Sequence, residues 1–241
     1  MSNTNTPLQG KVAVVTGANR GIGRAVAGSL AELGATVYLC ARDEAKLHSA
    51  TEELITRRLP AKAVRLDVTD EQQWQSLAQR VRNEHNRLDI LINNAGVGAF
   101  GKPLHETSTE DFTRMVDTNI KGVYLGIKCL APLMIASGGG DIVNISSIAS
   151  KNPVKNAAIY AATKWAVNGL SVSAAEELRD HRVRVSFVCP GSTATELIVG
   201  MREPNDRMLR SEDIAHAVTV ILTQAPQSFI SEIVIRPTLK P

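Results

Sequence analysis

With 241 residues, 44% of them hydrophobic and 4% aromatic, the chain carries enough Val, Ile, Leu and Ala for one well-buried α/β domain. A formal net charge of +3, with basic spots only at Arg57-Arg58 and from Arg179 to Arg184, argues against a nucleic-acid-binding face; both spots read as solvated helix ends. Cys40, Cys129 and Cys189 form no CxxC pair and no metal site, and read as buried reduced thiols of a cytoplasmic protein; no apolar run approaches the roughly 18 residues of a membrane span.

Residues 1–8 read as a polar tail and residues 9–241 as one domain, without linker or repeat. The first strand is KVAVV (11–15), and Gly17, Gly21 and Gly23 join it to a helix over 21–33. At such a junction the glycines serve a tight turn, close backbone approach to a pyrophosphate, and packing of helix on sheet. The helix N-terminus offers free N–H groups to the anion, so the loop predicts dinucleotide binding. Gly34 stops the helix, and TVYLC (36–40) is the second strand. An NAD site usually has an acid at this strand tip to accept from the ribose 2′-hydroxyl. Here Cys40-Ala41 is followed by Arg42, whose guanidinium suits a 2′-phosphate, and Arg20 approaches from the glycine loop. The predicted cofactor is NADP(H).

Asp43 caps a helix over 43–58; AVRL (63–66), a helix over 70–86 capped by Asp70, and DILI (89–92) follow. A long helical pattern over 109–136 ends at the glycine run 138–140. DIVNIS (141–146) runs into Ser146-Ser147, at the carboxyl end of a strand, where open α/β sheets bind ligands. A helix over 156–181 carries Tyr160 and Lys164 four residues apart, hence on one face. A neighbouring ammonium favours a phenolate, so Lys164 is expected to lower the phenol toward neutrality. That makes Tyr160 a proton donor and acceptor for a carbonyl–alcohol pair, while Lys164 holds ribose hydroxyls. RVSFV (184–188) is the sixth strand and EIVI (232–235) the seventh, with a helix over 211–223 capped by Ser211 between them. The segment 196–210 is expected to cover substrate; its Ile198, Val199, Met201, Met208 and Leu209 contact substrate or pack onto the domain, and Phe100 and Val154 line the pocket. Strands apolar on both faces, alternating with helices, predict a doubly wound seven-stranded parallel sheet with helices on both faces.

Thr16-Gly17-Ala18-Asn19-Arg20-Gly21-Ile22-Gly23 resembles the cofactor loop of the classical short-chain dehydrogenases/reductases. Asn93-Asn94-Ala95-Gly96 is similar to their second signature, Tyr160-x-x-x-Lys164 to their catalytic pair, and Pro190-Gly191-x-x-x-Thr195 to a fourth motif. The motifs stand in family order over nearly the whole chain. The resemblance implies a single-domain Rossmann fold with cofactor contacts from Gly17, Asn19, Arg20, Gly21, Ile22, Gly23, Arg42, Asn93, Asn94, Ala95, Gly96, Tyr160, Lys164, Pro190, Gly191, Thr193 and Thr195. It implies that Asp67 and Val68 meet the adenine. It selects Ser147, thirteen residues before the tyrosine, to bond the substrate oxygen, with Ser146 structural. It gives Asn119 the support of a water that connects Lys164 to solvent.

The implied activity is NADP(H)-dependent reduction of a ketone or aldehyde, with Asn119, Ser147, Tyr160 and Lys164 catalytic; the apolar residues of the 196–210 segment fit a modest apolar carbonyl better than a large polar sugar. The implied assembly is a homo-oligomer, dimer or tetramer, through the helices over 109–136 and 156–181. Val123, Leu125, Trp165, Val167 and Leu170 supply either that surface or core. One alternative is a 3-oxoacyl-carrier-protein reductase. Pro132 and His181 fall where basic residues bind the acidic carrier, and the end SEIVIRPTLKP lacks the usual glycines; Lys128, Arg179 and Arg182 still offer a patch for an acidic partner. The other alternative is a non-catalytic NADP(H) sensor, which would not require Ser147.

Overall fold

The computed structural model describes residues 6–198 and 205–240. Strands β1 (Val12–Thr16), β2 (Thr36–Ala41), β3 (Ala61–Arg65), β4 (Ile90–Asn93), β5 (Gly140–Ile145), β6 (Val183–Pro190) and β7 (Glu232–Ile235) form one sheet in the order β3-β2-β1-β4-β5-β6-β7. Every pairing is parallel; Val14, for instance, stands opposite Tyr38 on one side and Leu91 on the other. The helices are α1 (Gly21–Glu32), α2 (Glu44–Thr56), α3 (Glu71–His85), α4 (Thr109–Val116), α5 (Gly122–Ala136), α6 (Ala158–Leu178) and α7 (Ser211–Leu222).

Successive strand residues point to opposite faces. Val12, Val14, Tyr38 and Leu91 pack with Trp74, Leu125 and Ala174 under α3, α5 and α6. Ala13, Val15, Leu39 and Ile92 pack with Val26, Leu54 and Ile214 under α1, α2 and α7. The inner strands are therefore buried on both faces, which is why they read as continuous apolar runs. The strand order reverses between β1 and β4, and that reversal opens a crevice at the carboxyl ends of the strands.

The local signals hold with particular exceptions. Asp43 accepts from the Lys46 N–H at 3.0 Å, and Asp70 from the N–H groups of Gln72 and Gln73 at 2.9 and 3.1 Å, so both cap as expected. Ser211 does not cap: α7 begins on it, and the Arg210 N–H donates to the Asp213 carboxylate at 2.7 Å. The acid three residues into the helix takes the group that a serine cap would leave to it. Leu8, assigned to the tail, is buried in the core under α1, and its N–H donates to the Leu33 carbonyl at 3.0 Å.

The 109–136 helix is not uniform. A π turn, Asp117–Lys121, separates α4 from α5 and buries Thr118 and Asn119. This 28-residue run is long and apolar enough to cross a bilayer, with a mean hydropathy of 1.2 over its best window, which the sequence reading passed over. Half of that window is buried inside the domain, against α3 and the sheet, so it serves as a core element. Val123, Leu125 and Val167 are core residues, whereas Trp165 is 56% exposed.

Candidate active site

A cavity of about 630 Å³ lies at the carboxyl ends of the strands, within the size range of cofactor and substrate sites. Its floor is the turn between β1 and α1. Gly17 has φ +63°, and a Cβ there would stand 2.9 Å from the Asn94 side-chain nitrogen and 3.1 Å from the Ala95 Cα. A Cβ on Gly23 would stand 2.3 Å from the Gly17 carbonyl oxygen, so any side chain there would drive the helix off the turn. The turn is stitched to the segment after β4. The Thr16 hydroxyl accepts from the N–H groups of Asn94 and Ala95 at 2.9 and 3.0 Å, and the Asn94 amide donates to the Thr16 carbonyl at 2.8 Å. The two glycine-containing motifs are thus one structural unit. The first turn of α1 has no side-chain cap and no acidic residue. Its N–H groups are left for an anion, which is what a pyrophosphate requires.

One end of the cavity carries three basic side chains together with the carboxylates of Asp43 and Glu196. Arg42, Lys46 and Arg20 line it. Arg42 is 62% exposed at its side chain, with the Asp67 carboxylate 3.9 Å away. Arg20 pairs with Glu196, and Lys46 lies 3.9 Å from the same carboxylate. Lys46 was missed in the sequence; the available signal was its place in the first turn of the helix that follows Arg42. The expected adenine pair divides. Val68 lines the cavity, but Asp67 does not; its carboxylate accepts from the Thr69 N–H and hydroxyl at 3.0 and 2.8 Å.

The other end holds the proposed chemistry. Ser147, Tyr160 and Lys164 line it together, with Phe100 and Val154 as expected. The Phe100 ring meets Tyr160 edge-on at 5.1 Å. Ser147 leads a 3-10 turn, Ile148–Ser150, and its hydroxyl accepts from the Ala149 N–H at 3.1 Å. Lys164 donates to the Ile145 carbonyl at 2.9 Å, and its Nζ lies 5.8 Å from the Tyr160 ring centre.

The electrostatics correct the sequence expectation. Burial pushes the Tyr160 phenol above its ordinary value, with the Ser147 hydroxyl pulling the other way. Burial also pushes Lys164 down to about 8. In the protein alone, desolvation outweighs the Ser147 bond, and the phenol keeps its proton.

Besides Asp67, three predicted site residues stand behind the cavity wall rather than in it. Gly23 serves packing. Asn93 is buried, and its amide donates to the Asn144 side-chain oxygen at 2.8 Å, which ties β4 to β5. Asn119 accepts from the Val97 N–H at 2.8 Å and donates to the Val97 carbonyl and the Thr163 hydroxyl at 2.9 and 3.0 Å. Its side chain therefore fastens the post-β4 segment to α6, and these protein groups occupy both of its amide donors. Gly17, Asn19, Arg20, Gly21, Ile22, Arg42, Asn94, Ala95, Gly96, Pro190, Gly191, Thr193 and Thr195 all line the cavity.

Of the covering segment, Met208 and Leu209 pack onto the domain at 6% and 9% exposure, and the Leu209 N–H donates to the Ser192 carbonyl at 2.9 Å. Leu197 lines the cavity instead. Val199 and Met201 lie outside the described residues, as does the side chain of Ile198.

Residues 11–206 match the short chain dehydrogenase family. An uncharacterized oxidoreductase of Staphylococcus epidermidis is 34% identical over 227 residues, which cover 94% of this chain and 97% of that protein. One of Staphylococcus aureus is 34% identical over 232 residues, 96% of this chain and 99% of its own. Among solved structures, a metagenomic short-chain oxidoreductase in complex with NADP is 45% identical with a TM-score of 0.86, covering 97% of this chain and 100% of that one. An alcohol dehydrogenase from the archaeon Thermococcus sibiricus, complexed with 5-hydroxy-NADP, is 29% identical with a TM-score of 0.87, covering 96% of this chain and 98% of its own. Sequence, sheet order and cavity agree: the chain belongs to the short chain dehydrogenase family of oxidoreductases.

Proposed function

We propose that the protein is an NADP(H)-dependent reductase of small ketones or aldehydes. The observation that carries this reading is one cavity with Ser147, Tyr160 and Lys164 at one end and Arg20, Arg42 and Lys46 at the other. When bound, NADPH supplies the hydride. The glycine turn and the bare N-terminus of α1 hold its pyrophosphate, and the three basic side chains its 2′-phosphate. The NADP-bound relatives support that choice.

The rest of the chemistry falls to the chain's own side chains. The Ser147 hydroxyl bonds the substrate oxygen. Tyr160, kept protonated by burial, gives its proton to that oxygen. Lys164, one turn along the same helix face, stabilises the phenolate left behind. A phenol that stays protonated suits reduction, the direction that NADPH favours. The carrier-protein alternative is weaker, because Lys128 is bonded to Glu71 and Arg179 to Glu176, each at 2.6 Å. A sensor without catalysis would leave the Ser147–Tyr160–Lys164 grouping without use. A cytoplasmic homo-oligomer, dimer or tetramer, completes the proposal.

NADPH consumption with a panel of short aliphatic ketones, diketones and aromatic aldehydes tests it. Tyr160→Phe should lower turnover by about 10²- to 10⁴-fold and leave NADPH binding intact. Turnover retained in that variant would refute the assignment of Tyr160.

A further inference from the structure

Asn168 lies on α6 one turn beyond Lys164 and two turns beyond Tyr160, on the same helix face. It is 7% exposed and does not line the cavity. Its carboxamide grips both serines that flank Ser147. The Ser146 hydroxyl donates to the Asn168 oxygen at 2.6 Å, and the Asn168 amide donates to the Ser150 hydroxyl oxygen at 2.8 Å. Ser150 in turn donates to the Ser147 carbonyl at 2.5 Å, and its oxygen stands 3.5 Å from the Cys189 sulfur, at the end of β6.

The proton inventory fixes the direction of this chain. Each serine has one proton to give. That of Ser150 goes to the Ser147 carbonyl and that of Ser146 to Asn168. Ser150 must then receive, and the nearest donor is the carboxamide. Only a side chain with an acceptor and a donor on one short stem satisfies both serines at once. The group is buried throughout, with Ser146 at 4% exposure and Ser150 at 0%, so water does not substitute for a lost member.

We infer that Asn168 is a positioning residue: it locks the Ser147 turn onto the helix that carries Tyr160 and Lys164, and so sets the distance between the proton donor and the hydroxyl that holds the substrate oxygen. The inference rests on the proposed roles of Ser147 and Tyr160. Outside the Asn168 bonds, β5 is also held to α6 by the Lys164 bond to the Ile145 carbonyl, by the Asn144 amide bond to the Ser171 hydroxyl at 2.8 Å and by a longer Ser146 contact to the Lys164 carbonyl, 3.2 Å. None of these reaches the turn that follows Ser147, which otherwise meets α6 through Ala149 packed with Tyr160 and meets Ser146 through a 3.2 Å contact between the Ser146 and Ser150 hydroxyls.

Asn168→Leu keeps the volume and removes both bonds. With NADPH and the fastest carbonyl of the panel above, kcat should fall by about 10- to 100-fold, the cost of a small misplacement of reacting groups. NADPH binding, followed by nicotinamide fluorescence, should be unchanged. Ser150→Ala cuts the same chain one link on, so adding it to Asn168→Leu should cost no further kcat. Wild-type kcat in Asn168→Leu overturns the inference. So does an additive loss in the double variant, or a parallel loss of NADPH binding. If Asn168→Leu does not fold, Ser150→Ala alone decides: a kcat loss with intact NADPH binding supports the role, and wild-type kcat removes it. Tyr160→Phe in the same assay separates the two levels. Turnover retained there sinks the catalytic reading itself. Turnover lost there but kept in Asn168→Leu sinks only the role of Asn168.

Discussion

Arg42 contributes a charge to the site rather than a bond to the fold. Its side chain is 62% exposed and its nearest carboxylate, that of Asp67, is 3.9 Å away; an exposed pair of that kind adds little to stability. Arg42→Ala should therefore leave the melting temperature nearly unchanged. It should lower kcat/KM with NADPH by about 10- to 100-fold, the worth of a charge-assisted contact to phosphate, and barely change the value with NADH. Equal losses with the two cofactors would refute the 2′-phosphate role. Lys164 carries the opposite balance. Burial lowers it from 10.5 to about 8, so above about 8 the unfolded chain holds a proton that the folded chain has released. Wild-type stability from this group then rises with pH across that window. Relative to Lys164→Met, which has no such proton, the wild type should gain up to about 3 kcal/mol between those limits; denaturant titrations of both proteins at pH 7 and pH 10 measure it, and a constant difference would refute the burial effect. At this scale the sequence placed the side chains of the proposed chemistry on one helix face but did not give their protonation. Spacing puts an ammonium near a phenol; it does not tell how much water is removed from both.

At the level of elements, what was legible depended on whether the cause is local. Asp43 and Asp70 act on N–H groups two or three residues away, and their caps were read directly. The π turn at Asp117–Lys121 was not, because nothing in DTNIK asks for it. Its cause is distant: Asn119 bonds to Val97 and Thr163, 22 and 44 residues away. Those partners hold the extra residue in the turn. The split of Asp67 from Val68 is an exception to that rule, since the Asp67 carboxylate bonds Thr69, only two residues on. Asn119→Ala would leave the Val97 N–H and carbonyl and the Thr163 hydroxyl without this partner. It should destabilise the fold by about 1–3 kcal/mol, and turnover should fall further than binding of NADPH. Thermal denaturation together with fluorescence titration checks both. A stable, fully active variant would show that the tie between the post-β4 segment and α6 is dispensable.

For the whole molecule, topology was legible, whereas the choice of uncovered helix faces was not. Alternating strands and helices with right-handed crossovers leave few ways to order a parallel sheet. They do not say which apolar helix residues stay uncovered, because α5 and α6 carry hydrophobic side chains on more than one face. Val123, Leu125 and Val167 turned inward, whereas Tyr124, Trp165 and Val172 are 47%, 56% and 55% exposed. A second apolar region lies elsewhere: β7 is a sheet edge, and Val234, Phe229 and Leu239 near it are 45%, 39% and 61% exposed. An uncovered apolar edge strand invites pairing. Two separate self-complementary patches generate a tetramer with dihedral symmetry, while one gives only a dimer. If both patches pair, the proposed homo-oligomer is a tetramer that comes apart in two independent ways. Trp165→Glu should give dimers held through the β7 region, Val234→Lys should give dimers held through α5 and α6, and the double variant should give monomers. Light scattering on each protein reads this directly. A monomeric wild type would refute the assembly, and monomers from either single variant would refute the claim that the two patches act separately. Trp165 is next to Lys164 in the chain, so Trp165→Glu should also loosen α6 and reduce turnover, whereas Val234→Lys, at the far edge of the sheet, should not.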